Sequence, residues 1–507
     1  MKLPTSIRTA VDLRGWAAAL AVAVIFFAVS LPFLSAQYDL SALTYAVVAE
    51  EGLSKSQQAV HPLYLPLLRA SAAALRFFSA APPFIKWFQL LSLLAAAAFL
   101  AALCGLSEAF SEEPWSAALA TGCFAVQGHV WKFSMQTKPY MLAAALSTAA
   151  LLVAVRRAAS GRLRDGLAAG ALAGLAVGFD PFSLAVVPAL WLARAWDPER
   201  GAGAHRRFCA AAAASTILFC ALYLLALKGG LQAQLAAVYA PQAFAGASWY
   251  RSPNPLSLLS SYASWLLRRG PELLLFLAAS CALAALTRSS ADWARVRRAA
   301  IFAACVFGSF SVFFLVGHST DDFFFAAALG LPPLLAALTG RSQAGRAMLA
   351  CVLLATAVHS FARTIRPLHD ARSDFALAEG AFLAERLGTR ALLLSPGAPD
   401  WRIAYVYGHT LRILRLDVPP SSHALFAPAG LAVLPDVLDL AEADLMTGDP
   451  VYITGEPLFL PTDVLDAAQL EAQTRQVQAA VTKRFRLGPP LISPQAQYYY
   501  PLLKKAD

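Results

Sequence analysis

Long apolar blocks recur through the first 366 residues of this 507-residue chain. Most of them run for about 16 to 25 residues, the length that an α-helix needs to cross the hydrocarbon core of a bilayer. Hydrophobic residues make up 58% of the sequence and charged residues 14%, whereas soluble domains are about one quarter charged. The pattern therefore predicts a polytopic α-helical membrane protein.

We predict eleven spans. The first is expected from Gly15 to Ala36 as an uncleaved anchor, although a cleaved signal peptide would show the same pattern. The mixed segment Gln37–Ala81 is interpreted as an outer loop with helices lying on the membrane surface, and a further span over Ala59–Phe78 is the alternative. The other spans are expected at residues 83–106, 114–130, 140–155, 165–179, 181–195, 208–228, 270–287, 299–317, 322–339 and 346–363.

The distribution of charge predicts the orientation of these spans. The net charge is +10, but residues 367–507 contain 12 Lys or Arg and 16 Asp or Glu, so the excess of positive charge lies in the membrane part. Its arginine clusters fall in connections that the eleven-span count places on one side, which positive charge marks as cytoplasmic. The acidic connection Ser107–Glu113 is the exception. We therefore expect an inner-membrane protein with a cytoplasmic N-terminus, and no nucleic-acid partner.

The tail, residues 367–507, is predicted to be a small extracytoplasmic α/β domain. Helices are expected at 373–387 and 463–483, and strands at 390–395, 411–416 and 451–454. No glycine-rich phosphate loop follows these strands in the sequence, which argues against a nucleotide enzyme. All seven cysteines lie in the apolar blocks, so neither a disulfide framework nor a thiolate zinc site is expected.

The candidate catalytic residues lie in the predicted outer connections. Asp39 follows the first span, and a carboxylate beside an apolar surface is basic enough for a general base, although it could also be an interfacial charge. His61 and Tyr64 open a predicted surface helix, where His61-Pro62 could equally be a cap. Asp180-Pro181 breaks a helical hairpin.

Two cations in the outer connection Trp131–Tyr140 oppose the charge trend. Lys132 and Lys138 are flanked by aromatic residues, and they could bind a lipid phosphate as point charges or only reach toward the interface. His318, Asp321 and Asp322 form a further polar cluster at the start of a span.

The order of these motifs resembles the GT-C superfamily of membrane glycosyltransferases. The segments that carry the resemblance are Tyr38–Tyr45, His61–Tyr64, Phe133–Tyr140 and Gly174–Leu190. The nearest groups are the protein O-mannosyltransferases and the bacterial aminoarabinose transferase of lipid A. The resemblance covers Gly15–Ala195, and beyond it rests on the span count and the outer tail.

The resemblance implies a sugar donor carried on a polyprenyl phosphate. It implies that Asp39 is the base toward an acceptor hydroxyl, and that Lys138, helped by Lys132, meets the donor phosphate. His61, Tyr64, Tyr140, Asp180 and Asp322 would shape the acceptor side or the cavity. The implied partners are the lipid-linked donor, a protein, lipid or glycan acceptor, and membrane lipids.

The chain also departs from the family pattern. Leu40 stands where the family often has a second carboxylate. We therefore assign no metal ligand and do not count a divalent metal among the expected cofactors. Lys138 stands where arginine is usual, which keeps the charge but loses the bidentate fork. These departures leave a catalytically inactive GT-C-like scaffold as one alternative. A lipid or solute transporter is another, although the sequence shows no internal repeat.

Overall fold

The computed structural model describes residues 5–36, 45–46, 49–50, 61–79, 84–157, 162–191, 202–226, 271–286, 292–317, 328–370, 375–388, 390–396, 412–416, 434–454, 479–494 and 496–505. Contacts among the described residues divide the chain into two compact units. Residues within Met1–Ser35, Lys55–Ser71 and Lys86–Pro367 belong to the first unit, and residues within Ala36–Ser54, Ala72–Ile85 and Leu368–Asp507 belong to the second. The predicted domain boundary between residues 366 and 367 stays a prediction.

Helices dominate the described residues up to residue 369. Among these residues there are also three short 3-10 segments, Leu31–Phe33, Pro181–Ala185 and Ala328–Gly330, and one π-helical turn, Phe361–Ile365. The α-helices are α1 (Thr5–Ser30), α2 (Tyr64–Phe77), α3 (Ile85–Ser111), α4 (Pro114–Ala125), α5 (Gly128–Ser134), α6 (Tyr140–Arg157), α7 (Leu163–Phe179), α8 (Val186–Trp191), α9 (Ala202–Ala226), α10 (Pro271–Leu286), α11 (Trp293–Gly317), α12 (Leu331–Thr339), α13 (Gln343–Ser360) and α14 (Arg366–His369).

Five of the described helical segments are long and apolar enough to cross a membrane. They are Gly15–Phe33, Ile85–Ser111, Tyr140–Arg157, Gly203–Tyr223 and Gln343–His369. The predicted span 114–130 differs, because it consists of two helices, α4 and α5, that are interrupted at Val126 and Gln127. Helix α2 has 14 residues, fewer than the roughly 20 that a span requires. The total of eleven spans remains a prediction.

Helices α7 and α9 pack side by side through a ladder of glycines. A Cβ atom on Gly170 would lie 2.1 Å from the backbone oxygen of Ala212, and one on Gly174 would lie 2.5 Å from Cβ of Phe219. Thr216 Oγ1 also donates a hydrogen bond across the interface to Gly170 O at 3.1 Å. Because residue numbers rise together along both helices, the two helices run parallel. Small residues spaced four apart permit this close approach of two helices.

One end of the first unit carries a cluster of ion pairs around the acidic connection Ser107–Glu113. Glu108 Oε2 lies 3.0 Å from Arg156 Nη2, and Glu112 Oε2 lies 2.7 Å from Arg295 Nη2. The carboxylate of Glu113 is shared by two further guanidinium groups, 3.7 Å and 4.0 Å away, on Arg341 and Arg346. The acidic connection, which opposed the charge trend, therefore faces the arginines of three other connections.

A six-stranded sheet forms the core of the second unit. Its strands are β1 (Leu392–Pro396), β2 (Arg412–Leu416), β3 (Val451–Thr454), β4 (Phe485–Leu487), β5 (Leu491–Ile492) and β6 (Tyr498–Lys504), in the order β2-β1-β3-β6-β4, with β5 paired to β6. β1 is parallel to β2 and β3, whereas β3 and β6 are antiparallel.

Two helices of the second unit, α15 (Phe375–Leu387) and α16 (Leu434–Thr447), supply apolar side chains to this core. The predicted strands at 390–395, 411–416 and 451–454 and the predicted helix at 373–387 match β1, β2, β3 and α15. Helix α16 and strands β4 to β6 were not predicted. Most of the predicted helix 463–483 lies outside the described residues.

Candidate functional site

The turn between α5 and α6 buries the cation Lys138. Its side chain is only 4% exposed, and its ammonium group lies 5.4 Å from the ring centre of Phe133 and 5.7 Å from that of Tyr140. The two rings meet edge to face at 5.5 Å. Aromatic faces attract cations, so this pair of rings holds the ammonium group at the start of α6.

Lys132 is less enclosed than Lys138. It lies in the last turn of α5, is half-buried, and places its ammonium group 5.9 Å from the ring centre of Phe133. The two predicted phosphate-binding cations therefore contact the same aromatic ring, which brings them into one neighbourhood. The sequence predicted residues 131–139 as a loop, but residues 128–134 are helical.

Two buried polar side chains accompany Lys138. Gln136 Oε1 and Thr137 Oγ1 are inaccessible to solvent and have no hydrogen-bond partner within the described part of the chain. A buried polar atom that lacks a partner costs about 1–3 kcal/mol, and such atoms are usually satisfied by water or a ligand. Neither residue was predicted from the sequence as a site residue. Their polarity between two aromatic residues was the available signal.

His61 is hydrogen-bonded to the C-terminal end of α7. Its Nδ1 lies 2.7 Å from the carbonyl oxygen of Phe179. Burial lowers the pKa of His61 to about 4, and the hydrogen bond to Phe179 offsets part of that effect. The ring is therefore neutral near pH 7. Since a carbonyl oxygen only accepts, Nδ1 carries the proton and Nε2 presents a lone pair.

Gly178 permits the close approach of the His61 segment. The Leu63 N–H donates to Gly178 O at 2.9 Å, and a Cβ on Gly178 would lie 2.7 Å from Leu63 Cδ1 and 2.6 Å from Tyr223 Cζ. Any larger residue at position 178 would push these groups apart. Tyr64 follows at the start of α2 and is buried. The end of α7 thus positions both predicted acceptor-side residues.

Asp180 caps the C-terminal end of α7. Its side chain is buried, its N–H donates to Ala176 O at 2.8 Å, and its carbonyl accepts from Ser183 N at 2.9 Å. The backbone at Asp180 is extended, and the 3-10 segment Pro181–Ala185 follows. The predicted break in the helical hairpin is confirmed. Asp180 and His61 are neighbours, because His61 binds the carbonyl of the preceding residue.

The two groups of site residues lie at the same end of the helix pair α6–α7. The helices pack against each other and are joined by a short connection, so they run in opposite directions. Tyr140, the first residue of α6, is therefore near Phe179, the last residue of α7. The 3-10 segment after Asp180 also packs against α6. Arg156, in the ion-pair cluster, is at the opposite end of α6.

Several predicted site residues lie outside the described residues. They are Asp39, His318, Asp321 and Asp322, so the assignments of Asp39 as base and of Asp322 as a cavity residue stay predictions. Among the described residues, no group of three His, Cys, Asp or Glu side chains could hold a metal ion.

The comparisons with known proteins give a fold and no sequence family. No protein-family model and no curated protein sequence matches the chain. The crystal structure of ArnT from Cupriavidus metallidurans bound to undecaprenyl phosphate matches with a TM-score of 0.53 and 13% identity, over 95% of this chain and 97% of that chain. The chain has the GT-C fold.

A second solved structure is less similar. The Archaeoglobus fulgidus oligosaccharyltransferase, in complex with zinc and sulfate, matches with a TM-score of 0.48 and 12% identity, over 94% of this chain and 72% of that chain. The GT-C resemblance in the motifs of residues 15–195 is thus confirmed at the level of fold, and the match to ArnT extends it over nearly the whole chain. At this identity the likeness carries the fold alone.

Proposed function

We propose that this protein is a membrane glycosyltransferase that uses a polyprenyl-phosphate sugar as donor. The observation that carries the proposal is the match to ArnT over nearly the full length of both chains, in a structure that holds undecaprenyl phosphate. The buried cation Lys138 supports it, because the phosphate of such a donor needs a positive partner at the membrane surface.

The donor phosphate is assigned to the turn between α5 and α6. Lys138 and Lys132 supply positive charge, and their ammonium groups lie 5.4 Å and 5.9 Å from the ring centre of Phe133. The buried Thr137 supplies a hydroxyl that has no hydrogen-bond partner among the described residues. Thr137 can donate a hydrogen bond to a phosphate oxygen through its hydroxyl. A cation shielded from water by aromatic rings binds an anion more strongly than an exposed one does.

The proposed reaction inverts the anomeric carbon. Asp39 accepts the proton of an acceptor hydroxyl, and the hydroxyl oxygen attacks the anomeric carbon from the face opposite the phosphate. The bond between the sugar and the phosphate oxygen breaks, and the polyprenyl phosphate leaves with its charge balanced by Lys138 and Lys132. We assign no step to a metal.

The acceptor side is assigned to residues at the end of α7. His61, Tyr64, Tyr140 and Asp180 surround the same end of the α6–α7 pair, and Asp322 is assigned to the cavity from the sequence. A neutral His61 lies beside the acceptor hydroxyl in this assignment and does not compete with Asp39 for its proton. The acceptor class is a hydroxyl on a protein, a lipid or a glycan.

The proposed orientation places this end outside the cytoplasm. The ion-pair cluster gathers cationic connections at the other end, which fits the cytoplasmic side of an inner membrane. The N-terminus is then cytoplasmic, and the tail from residue 367 onward is extracytoplasmic.

Binding of undecaprenyl phosphate to the purified full-length protein tests the donor assignment. Native mass spectrometry is expected to detect one bound molecule, and Lys138→Gln is expected to weaken binding by about tenfold because a desolvated charge partner is lost. Lys483→Gln, at an exposed lysine of the second unit, is the matched control and should bind like the wild type. No binding by the wild type would contradict the proposal and favour the inactive scaffold.

A further inference from the structure

An apolar groove of about 280 Å³ lies between α1, α4 and α13 in the first unit. Its walls include Ala21 and Ile25 of α1, Gly122 of α4 and Leu353 of α13, and every described residue that lines it is apolar. None of them is a candidate site residue for sugar transfer. Ile25 and Trp115 are largely exposed, so the groove opens on a surface that would face lipid.

The dimensions of the groove match a single hydrocarbon chain. Residues from Ala18 to Val29 line it at successive turns of α1, and 1.5 Å of rise per residue gives a length of about 16 Å. A volume of 280 Å³ over that length leaves a cross-section of about 17 Å². Contacting carbon atoms lie about 3.5–4.0 Å apart, so the groove has room for a single hydrocarbon chain.

One mouth of the groove carries the exposed cation Arg341. Trp115 marks this end, and the next residue, Ser116, donates a hydrogen bond to Gly340 O. The side chain of Arg341 is 89% exposed beside it. Arg341 and Arg346 share the single carboxylate of Glu113, which leaves one positive charge unbalanced within this group of three.

We propose that the groove binds one acyl chain of an anionic glycerophospholipid, with the lipid phosphate against Arg341. Charge at the mouth selects an anionic headgroup, since each Lys or Arg near a membrane surface attracts anionic lipid. The acyl chain in the groove then belongs to a phospholipid of the leaflet on the arginine side. The groove also reaches Trp131 of α5, next to the proposed phosphate-binding residue Lys132, so the polyprenyl donor is the competing occupant that the experiments below distinguish.

Retention of a defined lipid by the full-length protein tests this site. The protein is reconstituted in vesicles of phosphatidylcholine and phosphatidylglycerol at 4:1, extracted in mild detergent, and analysed by native mass spectrometry. The wild type is expected to retain one phosphatidylglycerol. Ala21→Phe, which fills the groove at an exposed wall position, should reduce retention by about tenfold, whereas Leu20→Phe, on the opposite face of α1, should not.

A second pair of variants tests the headgroup. Arg341→Gln is expected to lower the preference for phosphatidylglycerol over phosphatidylcholine by about fivefold, and Arg164→Gln, at an exposed arginine of α7, should leave it unchanged. Equal retention in Ala21→Phe and the wild type would overturn the proposal. Loss of undecaprenyl phosphate binding in Ala21→Phe would also overturn it, because the groove would then belong to the donor. Neither result depends on sugar transfer.

Discussion

Among single residues, the structure adds most to the description of His61. The sequence could suggest its position at a helix start, but its partner, the Phe179 carbonyl, is 118 residues away along the chain. Its neutrality follows from burial, which a single sequence does not encode. Lys138 differs, because two aromatic residues lie within five positions of it and already indicated an enclosed cation.

We expect acid to weaken the structure through His61. Its pKa is lowered to about 4 in the folded protein from the ordinary histidine value of 6.5, so the unfolded chain gains the proton first as the pH falls from 6.5 toward 4. The wild-type melting temperature should therefore fall between pH 7.5 and pH 5. His61→Asn keeps a donor for Phe179 O and does not titrate, and its fall should be smaller by about 2–4 °C. An equal fall of the melting temperature in the wild type and in His61→Asn would contradict this role of His61.

In the second unit, the buried carboxyl group of Glu379 is expected to give stability the opposite pH dependence. It accepts a hydrogen bond from the Tyr499 hydroxyl, and burial raises its pKa. A raised folded pKa means that stability is lost as the pH rises through that pKa. Glu379→Gln should therefore raise the melting temperature of this unit by about 2–4 °C at pH 8 and have little effect at pH 4. Hydrogen exchange of α15 in the full-length chain, followed as the temperature is raised, measures this difference. A variant that is less stable than the wild type at pH 8 would contradict the prediction.

At the scale of elements, sequence patterns predicted the long helices and strands β1 to β3, and missed strands β4 to β6. The apolar blocks fixed helices such as α3 and α6 within a few residues. β6 was missed because it contains Pro501, which argues against a strand in a sequence reading, and β4 and β5 are too short to show alternation. The interruption at Val126 and Gln127 was missed because no proline marks it in the sequence.

The contact between α7 and α9 gives a prediction with a matched control. Gly170→Val should destabilise the protein by about 1–3 kcal/mol, because its Cβ would meet the backbone oxygen of Ala212 at 2.1 Å. Gly308→Val, at a helical glycine with nothing within 4 Å of an added Cβ, should change stability far less. Thermal unfolding in detergent compares the two variants, and equal losses would contradict the glycine ladder.

At the scale of the whole molecule, the charge count predicted which connections share a side. The ion pairs of Glu108, Glu112 and Glu113 with arginines of three other connections place these segments at one end. The sequence could not foresee the pairing itself, since it joins positions that lie up to about 230 residues apart. Which side of the membrane this end faces is a prediction.

Labelling with a membrane-impermeant maleimide tests that orientation. Arg157→Cys at the arginine-rich end should react only after the cells are permeabilised. Asp370→Cys, just after the last predicted span, should react in intact cells. The unmodified chain, with its seven native cysteines, is the background control. Labelling of Arg157→Cys in intact cells would contradict the orientation.

Sugar transfer by Asp39→Asn tests the central claim most directly. The purified wild type, supplied with undecaprenyl-phosphate-linked sugars and a panel of protein, lipid and glycan acceptors, is expected to transfer sugar. Asp39→Asn should lower the rate by at least about a hundredfold, because general-base catalysis contributes about 10²–10⁴. Asp439→Asn, at an exposed carboxylate of the second unit, should retain the wild-type rate. Full activity in Asp39→Asn would contradict the assignment of the base.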